Sequence, residues 1–564
     1  MKTVIVGGVA AGATAAARIR RLDENAEILI FERSGYISYA NCGLPYYIGG
    51  VIEQEAELTL QTPKAFSARF RIDARVRHEV TAIHPERKTV SVTNLESGRE
   101  WEEPYDRLLL APGAKPVVPP LPGLSSQRLF TLRTVEDTLR IRSYIKKNQP
   151  RSAVLIGGGF IGVELAENLR RLGLEVTVAE GRSQLLAPFD ADMASFLHCE
   201  MRKHGVRLAL GQTVTGFEET ADGLRVLLKD AEPLTADLAI LAIGVAPDSR
   251  LAAQGGLKTG VRGSILVNDR METSVPDIYA AGDAVQVTHL ISGQETLISL
   301  AGPANRQGRI AADNICGRDS RYPGSLGSSV LRVFDLTAAS TGLNEAAAAQ
   351  AGIDADSVIL SPMNHAGYYP GGQLMTMKVV FEKHTYRLLG AQIIGYDGAD
   401  KRIDVIAAAI LGGLNAIGLK DLDLAYAPPY SSAKDPVNMA GFLIENLATG
   451  TIRQLHADQA DTLPKDGSVI LLDVRTDEEY AVGRIDGFLH IPLDQLRERL
   501  PEIRPGKSVY VLCQSGLRSY IACRILTGRG YECFNLAGGF RLYQAVAGDR
   551  AMARSAAPCG MDLA

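Results

Sequence analysis

Two cysteines in this 564-residue chain stand where sulfur chemistry could occur. Cys42 lies in SYANCGLPYY, and the next cysteine along the chain is Cys199. A thiol that exchanges with disulfides passes through a mixed disulfide and needs a second thiol to resolve it. Cys42 has no sequence neighbour for that task. Cys513 sits in VYVLCQSGLRS, a strand running into a loop and then a helix. Successive backbone N–H groups in such a loop, together with a helix N-terminus, stabilise an anionic sulfur, and Arg518 is placed to add positive charge. Two glycine loops promise phosphate contacts. Gly7 and Gly12, with Glu32 twenty residues on, form one fingerprint, although Val9 occupies its middle glycine position. Gly157, Gly159, Gly162 and then Glu180 form a complete second one. A carboxylate at the strand end repels a 2′-phosphate, which favours NADH; Arg182 is able to soften that preference and leaves NADPH open. Asp283 follows a strand and Gly282, where it can meet the far end of a bound dinucleotide.

These groups need particular elements to hold them. KTVIV, the loop GGVAAG, the helix AAARIRRL and the strand ILIFE open a βαβ unit. AVLI, GGGFIG, VELAENLRRLG and VTVAE repeat the plan about 150 residues later. The Pro- and Gly-rich LLLAPGAKPVVPPLPG reads as a crossover between domains. After about residue 326 strands dominate (LMTMKVVFE, RLLGAQIIG), with one helix (DVIAAAILGGL). Residues 446–466 read as a linker, and a small α/β domain follows. The expected fold class is α/β: two Rossmann-like domains, an α+β interface domain and a C-terminal α/β domain. The expected boundaries are 1–116 with 251–325, then 117–250, 326–450 and 455–564.

Composition bounds the function. With 60 basic and 64 acidic residues, bulk charge gives no basis for nucleic-acid binding. No apolar run reaches the roughly 18 residues of a membrane span, and the N-terminus enters a strand at once. The seven cysteines (42, 199, 316, 513, 523, 533, 559) show no metal-ligand spacing and suit a reducing cytoplasm. Cys199 and Cys523 read as core or surface thiols in helices, Cys533 as part of a strand, Cys316 as close to a helix end, and Cys559 as part of a tail.

Together the two glycine fingerprints and Gly282-Asp283 resemble the flavoproteins with two dinucleotide-binding domains, FAD in the first and NAD(P)H in the second, over about residues 1–450. NCGLPYYIGG resembles the single-cysteine branch of that family, which holds coenzyme A-disulfide reductases, their persulfide- and polysulfide-reducing relatives, and NADH oxidases and peroxidases. The resemblance implies FAD contacts at Gly7, Ala11, Gly12, Glu32, Arg33, Val80, Gly113, Asp283 and Ala301. It implies NAD(P)H contacts at Gly157, Gly159, Ile161, Gly162, Glu180 and Gly244. Arginines 18, 20 and 21 lie on the first helix; 18 and 21 share a face, and 20 points elsewhere. By the same resemblance, Thr14, Arg18, Arg21, Ser38, Asn41, Asn305, Arg309 and Lys434 contact coenzyme A, whose thiol is the missing partner of Cys42. AGPANRQGR and YSSAKDP match family segments. Tyr368 and Tyr426 match tyrosines that reach the thiol from the other subunit of a homodimer. A thiolate at Cys42 near neutral pH calls for a lowered thiol pKa.

Residues 455–550 resemble rhodanese, with Cys513 as the sulfur carrier, Arg518 beside it, and Asp473 and Arg475 as loop-fixing residues. The expected activity is an FAD-dependent, NAD(P)H-driven reduction of persulfides, polysulfides or coenzyme A disulfide. Two alternatives stay open: an NADH oxidase or peroxidase using a Cys42 sulfenic acid, and a sulfur-carrier or redox-sensing interaction protein.

Overall fold

The apolar run Lys2–Val6 is buried by pairing in parallel on both edges, with Glu27–Glu32 on one side and Arg107–Leu110 on the other. In the computed structural model, which describes residues 1–553, these strands belong to a five-stranded sheet ordered Ile278–Ala280, Arg107–Leu110, Lys2–Val6, Glu27–Glu32, Asp73–Val76. Strand Ile278–Ala280 joins this sheet from far along the chain. The second glycine fingerprint lies on a second such sheet, ordered Val206–Leu210, Glu175–Glu180, Ser152–Ile156, Leu238–Leu241, Leu129–Thr131. Near-continuous Val/Ile/Leu strands of this kind are buried on both faces, as parallel sheets require.

The chain forms two compact units. One comprises residues 1–183 with 206–327, and the other comprises 184–205 with the chain from 328 onward. The second unit holds a five-stranded antiparallel sheet ordered Ser329–Val333, Leu336–Gly342, Leu388–Gly395, Thr376–Glu382, Ala355–Leu360. Helices Ala399–Leu411 and Pro436–Ala448 share its apolar core. It also holds a five-stranded parallel sheet ordered Gln454–Leu455, Cys533–Leu536, Val509–Leu512, Ile470–Asp473, Leu489–His490.

The expected linker 446–466 is more ordered than its polarity suggests. Helix Pro436–Ala448 runs into it, and Gln454–Leu455 becomes an edge strand of the last sheet. The side chain of Gln454 donates to Ser357 O at 2.7 Å, and His456 Nε2 stands 3.3 Å from Asp356 Oδ1. Gln454 and His456 here face a neighbouring strand, while most of the segment's other polar side chains are exposed.

Segment 184–205 interrupts the second Rossmann-like sheet in sequence yet clusters with the second unit. Its helix Ala191–Lys203 is buried from Met193 to Arg202. Lys378, 1% exposed, places its ammonium 3.1 Å from Asp190, 2.9 Å from Asp192 and 2.7 Å from Glu345. Such a buried cation is tolerable only because its partners are carboxylates. Along the same helix, Asp549 of the last helix, Gly539–Ala553, accepts from Arg202 Nη1 at 2.5 Å and lies 2.8 Å from His198 Nδ1.

Candidate active site

Both glycine loops are built alike. Gly7 adopts φ +95° and Gly157 φ +109°, in the left-handed region that favours glycine. A Cβ on Gly12 would lie 1.9 Å from Gly7 O, and one on Gly162 would lie 2.0 Å from Gly157 O, so each helix can start against its loop only without a side chain. At Gly159 an added Cβ meets nothing within 4 Å, which leaves the backbone open to a phosphate. Val9 stands at the departing position with φ −102°, so backbone conformation does not demand glycine there, although its side chain sits where the fingerprint's glycine leaves the backbone bare. Glu32 accepts from Gly8 N and Ser34 N, both at 2.9 Å. Glu180 repeats this with Gly158 N at 2.6 Å and Arg182 N at 2.9 Å. Each carboxylate thus braces its own loop, and a carboxylate's remaining lone pairs can accept from a ribose.

These features fit dinucleotide ligands. A cavity at the end of the first sheet is lined by Val6, Gly7, Glu32, Arg33, Val80 and Asp248, with Arg33 and Asp248 paired at 3.0 Å. Ala11 packs under Gly308, Gly113 adopts φ +72°, Gly244 adopts φ +117°, and Ala301 begins helix Ala301–Ile315. Ile161 lies in the first turn of helix Phe160–Arg171. Asp283 pairs with Arg133 at 2.8 Å.

Cys42 occupies a 3-10 turn, Asn41–Gly43, ahead of the short helix Leu44–Ile48, and is exposed. Every cysteine among the described residues is free, and Cys559 lies outside them. Asn41 donates to Arg133 O at 3.0 Å and accepts from Arg133 Nη1 at 3.1 Å. Ser38 adopts φ +45° and donates its N–H to Gly8 O at 2.8 Å, joining the thiol loop to the first glycine loop. Helices Ala10–Leu22 and Ala301–Ile315 pack tightly, because Gly308 brings the second helix against the Ala11 backbone. Their shared edge gathers Thr14, which donates to Asn305 at 2.6 Å, Arg18, which pairs with Asp313 at 2.7 Å, and the exposed Arg309. Arg21 is exposed above the Phe70 ring. Arg20 is buried and donates to the carbonyls of Phe70, Asp23, Glu24 and Arg71, which accounts for its different direction. Burial works against ionisation of Asp313, yet hydrogen bonds from Arg18 and Ser320 hold its carboxyl below the usual range.

The expected lowering of the Cys42 thiol pKa is not what the protein groups around it produce. Although the side chain is reachable from solvent, the protein atoms crowded around it desolvate the thiol, which is the largest influence and pushes it up; Glu164 and Asp283 add to this, and Arg133 alone opposes it. Two carboxylates outweigh one guanidinium. Sequence reasoning missed Glu164 and Arg133. Glu164 is two residues past Gly162, and burial pushes its carboxyl up to about 7, against a 3.4 Å hydrogen bond from Tyr46. Its place one turn into the helix after a glycine loop was a readable signal. Arg133 carried none, because its partners Asn41 and Asp283 are distant in sequence.

In the second unit, Tyr368 and Tyr426 are exposed and their hydroxyls meet at 2.8 Å. Lys434 is also exposed. Cys513 is fully buried and its Sγ accepts from Gly516 N at 3.1 Å and Ser519 Oγ at 3.2 Å. Gly516 can turn the loop because it takes φ +99°. Arg518 pairs with Glu479 at 2.6 Å. Arg475 binds Asp473 through Nε and Nη2, both residues being buried, and donates to Glu479 O and Gly483 O. Ser519 was the donor that the motif did not announce. Cys523 and Cys533 are buried in the same core as Cys513, and Cys199 faces Ala545 O at 3.9 Å.

Comparison with known proteins agrees with this architecture. Residues 1–308 match the pyridine nucleotide-disulphide oxidoreductase family, 329–436 its dimerisation domain, and 456–546 the rhodanese-like domain. The chain is 37% identical over 442 residues to a coenzyme A disulfide reductase of Staphylococcus aureus, covering 78% of this chain and 99% of that protein. It is similar to the structure of reduced CoADR-RHD from Bacillus anthracis (TM-score 0.94, 48% identity, 97% of this chain and 98% of that one). It is also similar to a NAD-dependent persulfide reductase from A. fulgidus (TM-score 0.91, 37% identity, 96% and 100%). The chain belongs to the pyridine nucleotide-disulphide oxidoreductase family, extended by a dimerisation domain and a C-terminal rhodanese-like domain.

Proposed function

We propose that this chain is an FAD-dependent reductase of coenzyme A disulfide and of persulfides or polysulfides, driven by NADH in preference to NADPH, acting in the cytoplasm as a homodimer. The observation that carries the reading is the exposed thiol of Cys42, the one exposed cysteine among the described residues, on a loop bonded to the first glycine loop. A cationic and polar edge of Thr14, Arg18, Asn305 and Arg309 in the same unit supplies groups suited to the phosphates of coenzyme A. In this reading residues 1–116 with 251–325 hold FAD, 117–250 hold NAD(P)H, 326–450 form the dimer interface and 455–564 carry sulfur. The carboxylate of Glu180, braced at its loop, underlies the preference for NADH.

Bound FAD and NAD(P)H supply the two electrons that the reaction consumes. The protein's part is thiol exchange. The Cys42 thiolate attacks coenzyme A disulfide, forms the Cys42–coenzyme A disulfide and releases one coenzyme A thiolate. Two-electron cleavage of that mixed disulfide returns the Cys42 thiolate and a second coenzyme A thiolate. With a persulfide RSSH, attack on the outer sulfur releases RS⁻ and leaves Cys42–SSH, which two electrons convert to thiolate and sulfide. Tyr368 and Tyr426 of the partner subunit donate protons to the leaving sulfur, and Lys434 adds charge for the ligand's phosphates. Cys513 carries sulfane sulfur on the rhodanese domain, stabilised by Gly516 N, Ser519 and Arg518.

The test is twofold. Cys42→Ser should abolish NADH oxidation driven by either coenzyme A disulfide or a persulfide. Intact mass of the purified protein should fall by one coenzyme A on reduction, with the adduct on the Cys42 peptide. Normal turnover by the serine variant would refute the reading.

A further inference from the structure

Helix Ala191–Lys203 ends against the turn between strands Ser329–Val333 and Leu336–Gly342, within one compact unit. Glu200 there is fully buried. Its Oε1 accepts from Asp335 N at 3.3 Å and stands 3.0 Å from His204 Nε2. That nitrogen is also 3.3 Å from Asp335 Oδ2. One ligand atom from each of Glu200, His204 and Asp335 lies within 4.8 Å of the others. The imidazole is held flat on the Phe334 ring, with centroids 4.3 Å apart and planes 2° apart. Phe334 itself adopts φ +54°, a left-handed backbone that presents Asp335 beside the histidine.

The second carboxylate oxygen of Glu200 is the unexplained group. Oε2 is buried and accepts no hydrogen bond. Lys203 Nζ, at 3.8 Å, is beyond hydrogen-bond reach. A buried carboxylate oxygen without a donor is costly. One proton on His204 Nε2 can serve Oε1 and Asp335 Oδ2 but leaves Oε2 unsatisfied. A cation shared by the three side chains can take both oxygens of Glu200. Ligand atoms about 2.0–2.2 Å from one ion stand roughly 3–3.5 Å apart, the separation of His204 Nε2 from both carboxylates here.

We propose that Glu200, His204 and Asp335 bind a divalent transition-metal ion of the Zn²⁺ class, two carboxylates and one imidazole with water completing the shell. The ion ties the end of the inserted helix to the hairpin of the interface domain. This site is separate from the thiol chemistry and stands whether or not that reading holds.

The full-length chain, stripped with EDTA and titrated with Co²⁺ as a coloured stand-in and then with Zn²⁺, tests it. Wild type should show one equivalent with visible ligand-field bands and no thiolate charge-transfer band, and Zn²⁺ should displace it and raise the unfolding midpoint. His204→Gln should weaken binding by more than the roughly 10- to 100-fold that loss of an outer-shell partner costs. Asp335→Ala, at a half-exposed position (53%) where the fold tolerates truncation, should lose the same signal. Co²⁺ binding that is unchanged in Asp335→Ala, or that always carries a sulfur charge-transfer band, overturns the assignment.

Discussion

Replacing Ser519 with alanine isolates one contribution to the sulfur chemistry of Cys513. The Ser519 hydroxyl has one proton and two acceptors in reach, Cys513 Sγ at 3.2 Å and Gly516 O at 3.1 Å. An anionic sulfur draws that proton more strongly than a neutral carbonyl does. A hydrogen bond to a charged group contributes about 1.5–3 kcal/mol, and about 1.36 kcal/mol is one decade in rate. Ser519→Ala should therefore slow sulfur transfer about 10- to 100-fold, toward the lower end because Gly516 N still donates at 3.1 Å. The assay is sulfur transfer from thiosulfate to cyanide by the full chain, with alkylation of Cys513 as an independent readout. Ser519→Thr keeps the hydroxyl and should retain most of the rate. Both residues are fully buried, so an unchanged melting curve must accompany the result. An alanine variant that is folded and as fast as wild type refutes the claim that the side-chain donor, rather than the backbone loop alone, stabilises the sulfur.

Arg475→Met leaves the Asp473 carboxylate buried without its partner and should destabilise the rhodanese-like domain by about 3–5 kcal/mol, read by urea unfolding. Glu164→Gln removes a charge that raises the Cys42 thiol, so its alkylation profile should shift to lower pH; in wild type an inflection near pH 7 should mark ionisation of Glu164 itself. Burial opposes ionisation of Asp549, but His198 and Arg202 win and hold its carboxyl below 3.8. A depressed carboxyl stabilises the fold above its unfolded pKa and loses that contribution as pH falls through the folded value. Asp549→Asn should therefore lower the thermal midpoint at pH 7, and the difference from wild type should shrink in acid.

What could be read from the linear chain was whatever depends on neighbours in sequence. Glycines at fixed offsets, the acidic residue closing each βαβ unit, and the cysteine loop before a helix are local requirements of backbone geometry. The two glycine loops, their carboxylates and the Cys513 loop therefore stand where their spacing put them. Polarity misled at 446–466, because a polar residue can be satisfied by a distant strand as well as by water.

Only folding decided which distant side chains share a field. The ionisation of Cys42 is governed first by desolvation of the thiol and then by Glu164, Asp283 and Arg133, which are between 91 and 241 positions away, and together these run against the expected lowering of its pKa. Arg18 and Asp313 meet because Gly308 lets two helices touch. Glu200 and His204 stand four residues apart on one helix face, but Asp335 joins them only because the inserted helix ends on a hairpin more than a hundred residues further on. Spacing sets local backbone geometry, whereas Coulomb energy and desolvation depend on separation in space, and that separation belongs to the tertiary structure.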